Sequence, residues 1–72
     1  MTFPERLNQL QQGWHIDKQA IYKAVGLSRT AYFRYERGER EPPMSILISL
    51  ANYFNVSIDY LVGRTDNPEI NR

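Results

Sequence analysis

The fold is decided by the stretch Asp17-Lys-Gln-Ala-Ile-Tyr-Lys-Ala-Val-Gly-Leu-Ser-Arg-Thr-Ala-Tyr-Phe-Arg-Tyr-Glu-Arg-Gly38. Asp17 and Ser28 are residue types that cap the N-terminus of a helix, and Gly26 and Gly38 each stand where a helix would end. Leu27 alone separates the first glycine from the second cap. The stretch therefore predicts two short helices that are joined by a very tight turn.

The second of these helices is predicted to run from Arg29 to Arg37 and to have two unlike faces. Three residues at four-residue intervals should face the core, namely Leu27, Ala31 and Tyr35. The other face carries Arg29, Thr30, Phe33, Arg34 and Arg37. A helix that follows a tight glycine turn and presents a polar face is typical of the helix-turn-helix motif, in which this second helix enters the major groove of DNA.

Apolar periodicity predicts three more helices around this pair. Before it, four residues lie on one helical stripe, namely Phe3, Leu7, Leu10 and Trp14. After it, five residues at helical spacing follow two prolines, namely Met44, Leu47, Leu50, Ala51 and Phe54. Gly13 offers an end to the first helix and Asn55 to the fourth, and a short fifth helix fits between Ser57 and Gly63.

We therefore expect an all-α protein that is built as a compact bundle of five short helices. The domain should cover residues 1–64, and residues 65–72 should form a polar and loose tail. The aromatic side chains of Trp14, Tyr35 and Phe54 are expected in the core.

The composition narrows the classes of function. Nine basic and eight acidic residues give a formal net charge of +1, so any binding to DNA must depend on where the charges are placed. The chain has no cysteine and a single histidine, His15, so we expect no metal site and no cofactor. No side chains are spaced as a nucleophile with its base, so we expect no catalytic residue and no enzyme.

Candidate contacts to DNA lie on and around the third predicted helix. The residues expected to read bases are Ser28, Arg29, Thr30, Phe33 and Arg34. Arginine can pair with O6 and N7 of guanine, and threonine can bond a base or touch a thymine methyl group. The residues expected to hold phosphates are Lys18, Gln19, Arg37 and Arg40.

For Phe33 three roles stay open: contact with a thymine methyl group, cover for apolar surface, or contact with a protein partner.

Two segments resemble the Cro and repressor type of helix-turn-helix protein, also called the Xre family. They are Gly26-Leu-Ser-Arg-Thr-Ala-Tyr-Phe-Arg-Tyr-Glu-Arg-Gly-Glu-Arg-Glu-Pro42 and Leu50-Ala-Asn-Tyr-Phe-Asn-Val-Ser-Ile-Asp-Tyr-Leu-Val-Gly63. The resemblance covers residues 3–63 and implies a phage-repressor-like DNA-binding domain, of bacterial or phage origin, that usually acts as a dimer. It also implies base-reading positions at Ser28, Arg29, Thr30 and Arg34, and positions near phosphates at Lys18, Gln19 and Arg40.

Three features depart from the family pattern. Lys18 replaces a glutamine, which keeps a donor to phosphate but loses the amide that would hold a neighbouring side chain. Tyr22 and Tyr32 replace a small and an aliphatic residue, so the second and third helices should sit further apart or pack differently. Gln11 stands where many relatives have an arginine, so a neutral hydrogen bond should replace the ion pair to Glu36.

Two functions fit these features. The first is a regulator of transcription, by resemblance a repressor, which binds double-stranded DNA as a homodimer in the cytoplasm and shows no sign of a small-molecule ligand or of a membrane segment. Its dimer surface is predicted to involve Ile46, Tyr53, Ile58 and Tyr60, although the same side chains could simply close the core. The second is a protein-interaction module, of the antitoxin or anti-repressor type, that binds its partner through Phe33 and the tyrosines.

Overall fold

The computed structural model describes residues 1–70 and contains five α-helices, with no strand in that range. The helices are α1 Phe3–Trp14, α2 Lys18–Ala24, α3 Arg29–Glu36, α4 Met44–Phe54 and α5 Ile58–Leu61. The predicted all-α bundle of five short helices is confirmed. Residues 71–72, the end of the predicted tail, lie outside the described residues. None of the five helices is both long enough and apolar enough to cross a membrane.

Local sequence explains most of the helix ends. The side chains of Asp17 and Ser28 each accept a hydrogen bond from a backbone amide in the first turn of the helix that follows, as N-cap residues do. Asn55 closes α4 in the left-handed conformation, with a φ of 56°. α1 differs from the prediction, because it continues past Gly13 and His15 takes the left-handed conformation, with a φ of 53°.

The core is formed mainly by α1, α4 and α5, while α3 packs on α1 and α2 packs on α3. The most deeply buried aliphatic side chains are Leu7, Ile21, Leu50 and Leu61. Tyr35 and Phe54 are buried as predicted, but the prediction for Trp14 is wrong, because this residue is 50% exposed. α1 ends at Trp14, so its ring reaches only the edge of the core, where it meets Phe54 edge-on with centroids 5.7 Å apart.

Arg6 connects α1 to α5 and to the segment that follows α5. The residue is buried, and its guanidinium carbon lies 3.7 Å from the centroid of the Tyr60 ring. It donates hydrogen bonds of 3.3 Å to the carbonyl of Thr65 and to the carboxylate of Asp66. A buried guanidinium needs such acceptors, because it leaves water on folding. The beginning of the predicted loose tail is therefore held against α1 and α5.

Candidate nucleic-acid interface

The turn between α2 and α3 has the tight form that the sequence predicts. Gly26 takes a φ of 78°, a conformation that other residues rarely adopt. The amide of Leu27 donates to the carbonyl of Tyr22 at 2.8 Å. Ser28 then caps α3, and its hydroxyl oxygen accepts a hydrogen bond from the amide of Ala31 at 3.1 Å. The first turn of α3 thus follows the end of α2 almost at once.

The outer flank of α3 is open to solvent. Its four exposed residues with predicted base-reading roles are Ser28, Arg29, Thr30 and Arg34. The hydroxyl oxygen of Ser28 accepts in the cap bond, which leaves its hydrogen available to a second partner. The structure therefore brings these four residues together on one accessible flank, and their roles on DNA stay predictions.

The inner flank of α3 is anchored by α1. Tyr32 and Tyr35 are buried, and the hydroxyl of Tyr32 donates to Oε1 of Gln11. Nε2 of Gln11 donates in turn to Oε2 of the Glu36 carboxylate at 2.9 Å, so the predicted hydrogen bond from an uncharged amide is present. Burial and then the nearby carboxylate of Glu36 raise the pKa of the Tyr32 phenol above its usual range, so the phenol stays a donor. These contacts fix the orientation of α3 from the side that faces the protein.

Tyr22 and Tyr32 form an aromatic contact between α2 and α3. Their ring centroids are 6.0 Å apart and their planes are inclined at 46°, which is within the range of favourable aromatic pairs. Tyr32 is buried and Tyr22 is partly buried. The two helices therefore meet through a pair of large rings.

Lys18 lies against α3 rather than free in solvent. Its Nζ is 2.9 Å from Oε1 of Glu36 and 5.2 Å from the centroid of the Phe33 ring. The side chain of Lys18 is 45% exposed, and that of Glu36 is only 10% exposed. Lys18 thus makes the ion pair to Glu36 that Gln11 cannot make. An ammonium group has three donors, so Lys18 can keep this ion pair and still donate to a phosphate.

The other predicted phosphate-binding residues, Gln19, Arg37 and Arg40, are all exposed. α3 ends at Glu36, one residue before the predicted end, and Arg37 is its C-cap. The Nε of Arg37 lies 2.5 Å from Oε2 of Glu39. This hydrogen bond lowers the pKa of the Glu39 carboxyl group. A phosphate would therefore compete with Glu39 for Arg37.

Phe33 has surroundings that the sequence analysis missed. The residue is partly buried, and the guanidinium carbon of Arg29 lies 5.3 Å from its ring centroid. Phe33, Arg29 and Lys18 line a cleft between α2 and α3, together with Ile16, Asp17, Gln19 and Tyr22. The contact between Arg29 and Phe33 could have been predicted from their spacing, because residues i and i+4 are neighbours on a helix. The contact between Lys18 on α2 and Phe33 on α3 could not have been predicted, because no spacing rule relates residues on different helices.

The four residues predicted at a dimer surface, Ile46, Tyr53, Ile58 and Tyr60, are partly buried within the single chain and pack against its core. Within the single chain these side chains help to close the core, and their role at a dimer surface stays a prediction. More exposed apolar side chains occur on α4 at Met44 and Ile48, which are 62% and 44% exposed.

The chain is similar in sequence to proteins that are named as regulators of transcription. A family profile described as helix-turn-helix matches residues 6–61. The HTH-type transcriptional regulator YobD of Bacillus subtilis is 32% identical over 65 residues, which cover 90% of this chain and 58% of YobD. The cryptic phage CTXphi transcriptional repressor RstR of Vibrio cholerae is 34% identical over 64 residues, which cover 89% of this chain and 57% of RstR. The chain thus spans less than two thirds of the length of these relatives.

The fold is also similar to that of a repressor solved on DNA. The crystal structure of the P22 c2 repressor protein in complex with a synthetic operator matches with a TM-score of 0.79 and 32% sequence identity. The match covers 86% of this chain and 94% of that chain.

Proposed function

Because this chain belongs to the helix-turn-helix family, we propose that it is a sequence-specific DNA-binding protein that regulates transcription as a repressor. The observation that carries this proposal is the contrast across α3, where Arg29, Thr30 and Arg34 are exposed while Tyr32 and Tyr35 are buried. A helix anchored on one side and open on the other is suited to enter a groove as a rigid body. The names of the relatives, a transcriptional regulator and a transcriptional repressor, support this proposal.

In this proposal α3 lies in the major groove of B-DNA, which is about 12 Å wide and admits a helix. Arg29 and Arg34 would each present a guanidinium group to guanine, and Thr30 would bond a base edge or touch a thymine methyl group. Ser28, at the N-terminal end of α3, would donate its hydroxyl hydrogen to a base or phosphate. The operator complex of the P22 c2 repressor supports this approach, because the two proteins share a fold.

The exposed residues around α3 would hold the DNA backbone. Gln19 and Arg40 are directly accessible, Lys18 has donors beyond its ion pair, and Arg37 would exchange Glu39 for a phosphate. Only three of these four residues are cationic, so few counterions are released and the salt dependence of binding should be moderate.

We further propose that the protein acts as a homodimer in the cytoplasm, where its DNA would lie. Two copies would place their α3 helices in successive major grooves, about 34 Å apart on a near-palindromic site. The candidate dimer surface is the exposed part of four side chains on α4 and α5, namely Ile46, Tyr53, Ile58 and Tyr60. A second copy would also add buried surface to a domain of residues 1–64, a size at which a single core is marginal.

Selection of bound sequences from a random duplex library tests this proposal. A repressor should enrich one motif, and a dimer should enrich a near-palindromic one. In gel shifts with that motif, Arg29→Ala and Arg34→Ala should each weaken binding by about 1–3 kcal/mol and relax the preference at one base position. Lys23→Ala removes an exposed cation in the last turn of α2 and is the matched control.

Two results would contradict the proposal. If both arginine variants bind as tightly as Lys23→Ala, α3 does not read bases. If no motif is enriched even at low salt, the protein-interaction module becomes the better account, and Phe33 with its neighbouring tyrosines would be the first surface to test for a protein partner.

A further inference from the structure

Two cations from different helices lie close to the ring of Phe33. Arg29 precedes it by one helical turn on α3, and its guanidinium carbon is 5.3 Å from the ring centroid. Lys18 comes from the start of α2, and its Nζ is 5.2 Å from the same centroid. Both distances are within the range in which a cation is attracted by the electron-rich face of an aromatic ring.

We infer that Phe33 is a positioning residue for DNA recognition, whose ring holds the Arg29 and Lys18 side chains in a fixed arrangement at the mouth of the α2–α3 cleft. This inference rests on the proposed function and deepens it. It assigns to Phe33 an action through these two cations rather than on a base. Arg29 would be held in place for the base that it reads, and Lys18 for a nearby backbone phosphate.

The aromatic ring of Phe33 attracts cations electrostatically, which an aliphatic side chain cannot do. Arg29 and Lys18 both carry a positive charge, and the electron-rich faces of the ring attract such charges. Lys18 is held from its other side by Glu36 at 2.9 Å. Side chains that are ordered before binding lose less entropy when DNA arrives. The arrangement should therefore raise affinity without any contact between Phe33 and DNA.

The experiment compares wild type, Phe33→Leu and Phe33→Tyr in titrations of the enriched operator. Phe33→Leu keeps an apolar side chain but removes the ring, and binding should weaken about five- to thirty-fold, because two long side chains must then be ordered when DNA binds. Phe33→Tyr keeps a ring and should bind within about twofold of wild type. Thermal melting of each variant establishes that the comparison is made between folded proteins. Operator binding by Phe33→Leu as tight as by wild type would overturn the inference.

A double-mutant cycle separates action through Arg29 from direct contact with DNA. In the Arg29→Ala background, Phe33→Leu should have only about half of its logarithmic effect on affinity, because one of the two positioned cations is gone. In the Arg34→Ala background, the matched control, the full effect of Phe33→Leu should remain. Equal effects in both backgrounds would show that Phe33 touches DNA itself, which would contradict its role as a positioning residue.

A measurement without DNA distinguishes failure of this inference from failure of the proposed function. In proton NMR spectra of the free protein, the ring current of Phe33 should shift the side-chain methylene signals of Lys18 and Arg29, and Phe33→Leu should abolish the shift. Absence of the shift in the wild type would overturn the inference even if the protein binds DNA. If the shift is present but no duplex is bound, the proposed function fails and the role of Phe33 in DNA recognition fails with it, although its contact with the two cations is established.

Discussion

Among residues 1–70, three cations lie against aromatic rings, and two of them, Arg6 and Lys18, have different roles. Arg6 lies 3.7 Å from the centroid of Tyr60, and its side chain is only 3% exposed. Lys18 lies 5.2 Å from the centroid of Phe33, and its side chain is 45% exposed. Arg6 donates to acceptors on α1 and after α5, whereas Lys18 keeps access to solvent. Burial therefore decides whether such a cation holds the fold together or stays available to a partner.

Arg6→Ala should have the largest effect, because it removes a buried side chain that packs on Tyr60 and donates three hydrogen bonds. We expect the free energy of unfolding to fall by about 2–3 kcal/mol. In a domain of this size Tm would then fall by roughly 10–20 °C. Urea denaturation followed by circular dichroism measures the change, with Lys23→Ala as the exposed control. A loss below about 1 kcal/mol would show that the cost of burying the charge cancels these contacts.

Tyr32→Phe tests the network to which Lys18 belongs. Lys18 pairs with Glu36, Glu36 accepts a hydrogen bond from Gln11, and Gln11 accepts one from Tyr32. Removing the hydroxyl leaves a buried acceptor of Gln11 without its donor, which should lower the free energy of unfolding by about 1–2 kcal/mol at pH 7. Urea denaturation measures this loss. An unchanged midpoint would mean that the hydroxyl contributes nothing to the anchoring of α3.

The same hydroxyl predicts a dependence of stability on alkaline pH. The pKa of Tyr32 is raised by burial above its ordinary value of 10.0, so the folded protein holds the phenolic proton more tightly than the unfolded chain. The phenol therefore contributes to the free energy of unfolding. Its contribution is fully present below pH 10 and is lost as the pH rises from 10 towards the pKa of the folded state. Wild type should lose up to about 1.4 kcal/mol per pH unit in that range from this group, and Tyr32→Phe should lose correspondingly less. Parallel slopes for the two proteins would contradict the assignment.

Lys18→Gln should have a smaller effect on stability than on DNA binding. The ion pair with Glu36 involves a half-exposed ammonium group, so its loss should lower the free energy of unfolding by about 0.5 kcal/mol. If Lys18 also holds a phosphate, the slope of log affinity against log salt should fall by about one. Lys23→Gln is the control on the same helix. An unchanged salt slope would place Lys18 with Arg6, among the cations that serve only the fold.

Asp66→Asn should have the smallest effect. Asp66 forms an ion pair with Arg6, but its side chain is fully exposed, and a pair with one partner in water contributes little. We expect the midpoint of urea denaturation to stay within the error of the measurement. A clear loss of stability would show that Arg6 depends on this carboxylate and not mainly on Tyr60 and the carbonyl of Thr65.

Much of the fold and part of the candidate site could be predicted from the sequence. The caps at Asp17, Ser28 and Asn55 were predictable, because a cap acts on backbone groups within the adjacent turn. The exposed flank of α3 was predictable from helical periodicity. The burial of Trp14 was predicted wrongly from the same periodicity. Periodicity shows which face of α1 a residue lies on, but it does not show that the core beside α1 ends before Trp14.

By itself, the sequence determined the number of helices, their approximate ends and the side chains that α3 presents outward, because capping and periodicity act over a few neighbouring residues. Only the tertiary structure decided which cations are buried, which are paired and which stay accessible. Arg6 reaches the carbonyl of Thr65 across 59 positions of the chain, and Lys18 reaches Glu36 across 18. Such contacts form only when helices distant in sequence pack together, and no local pattern encodes which side chains will then lie within reach of each other.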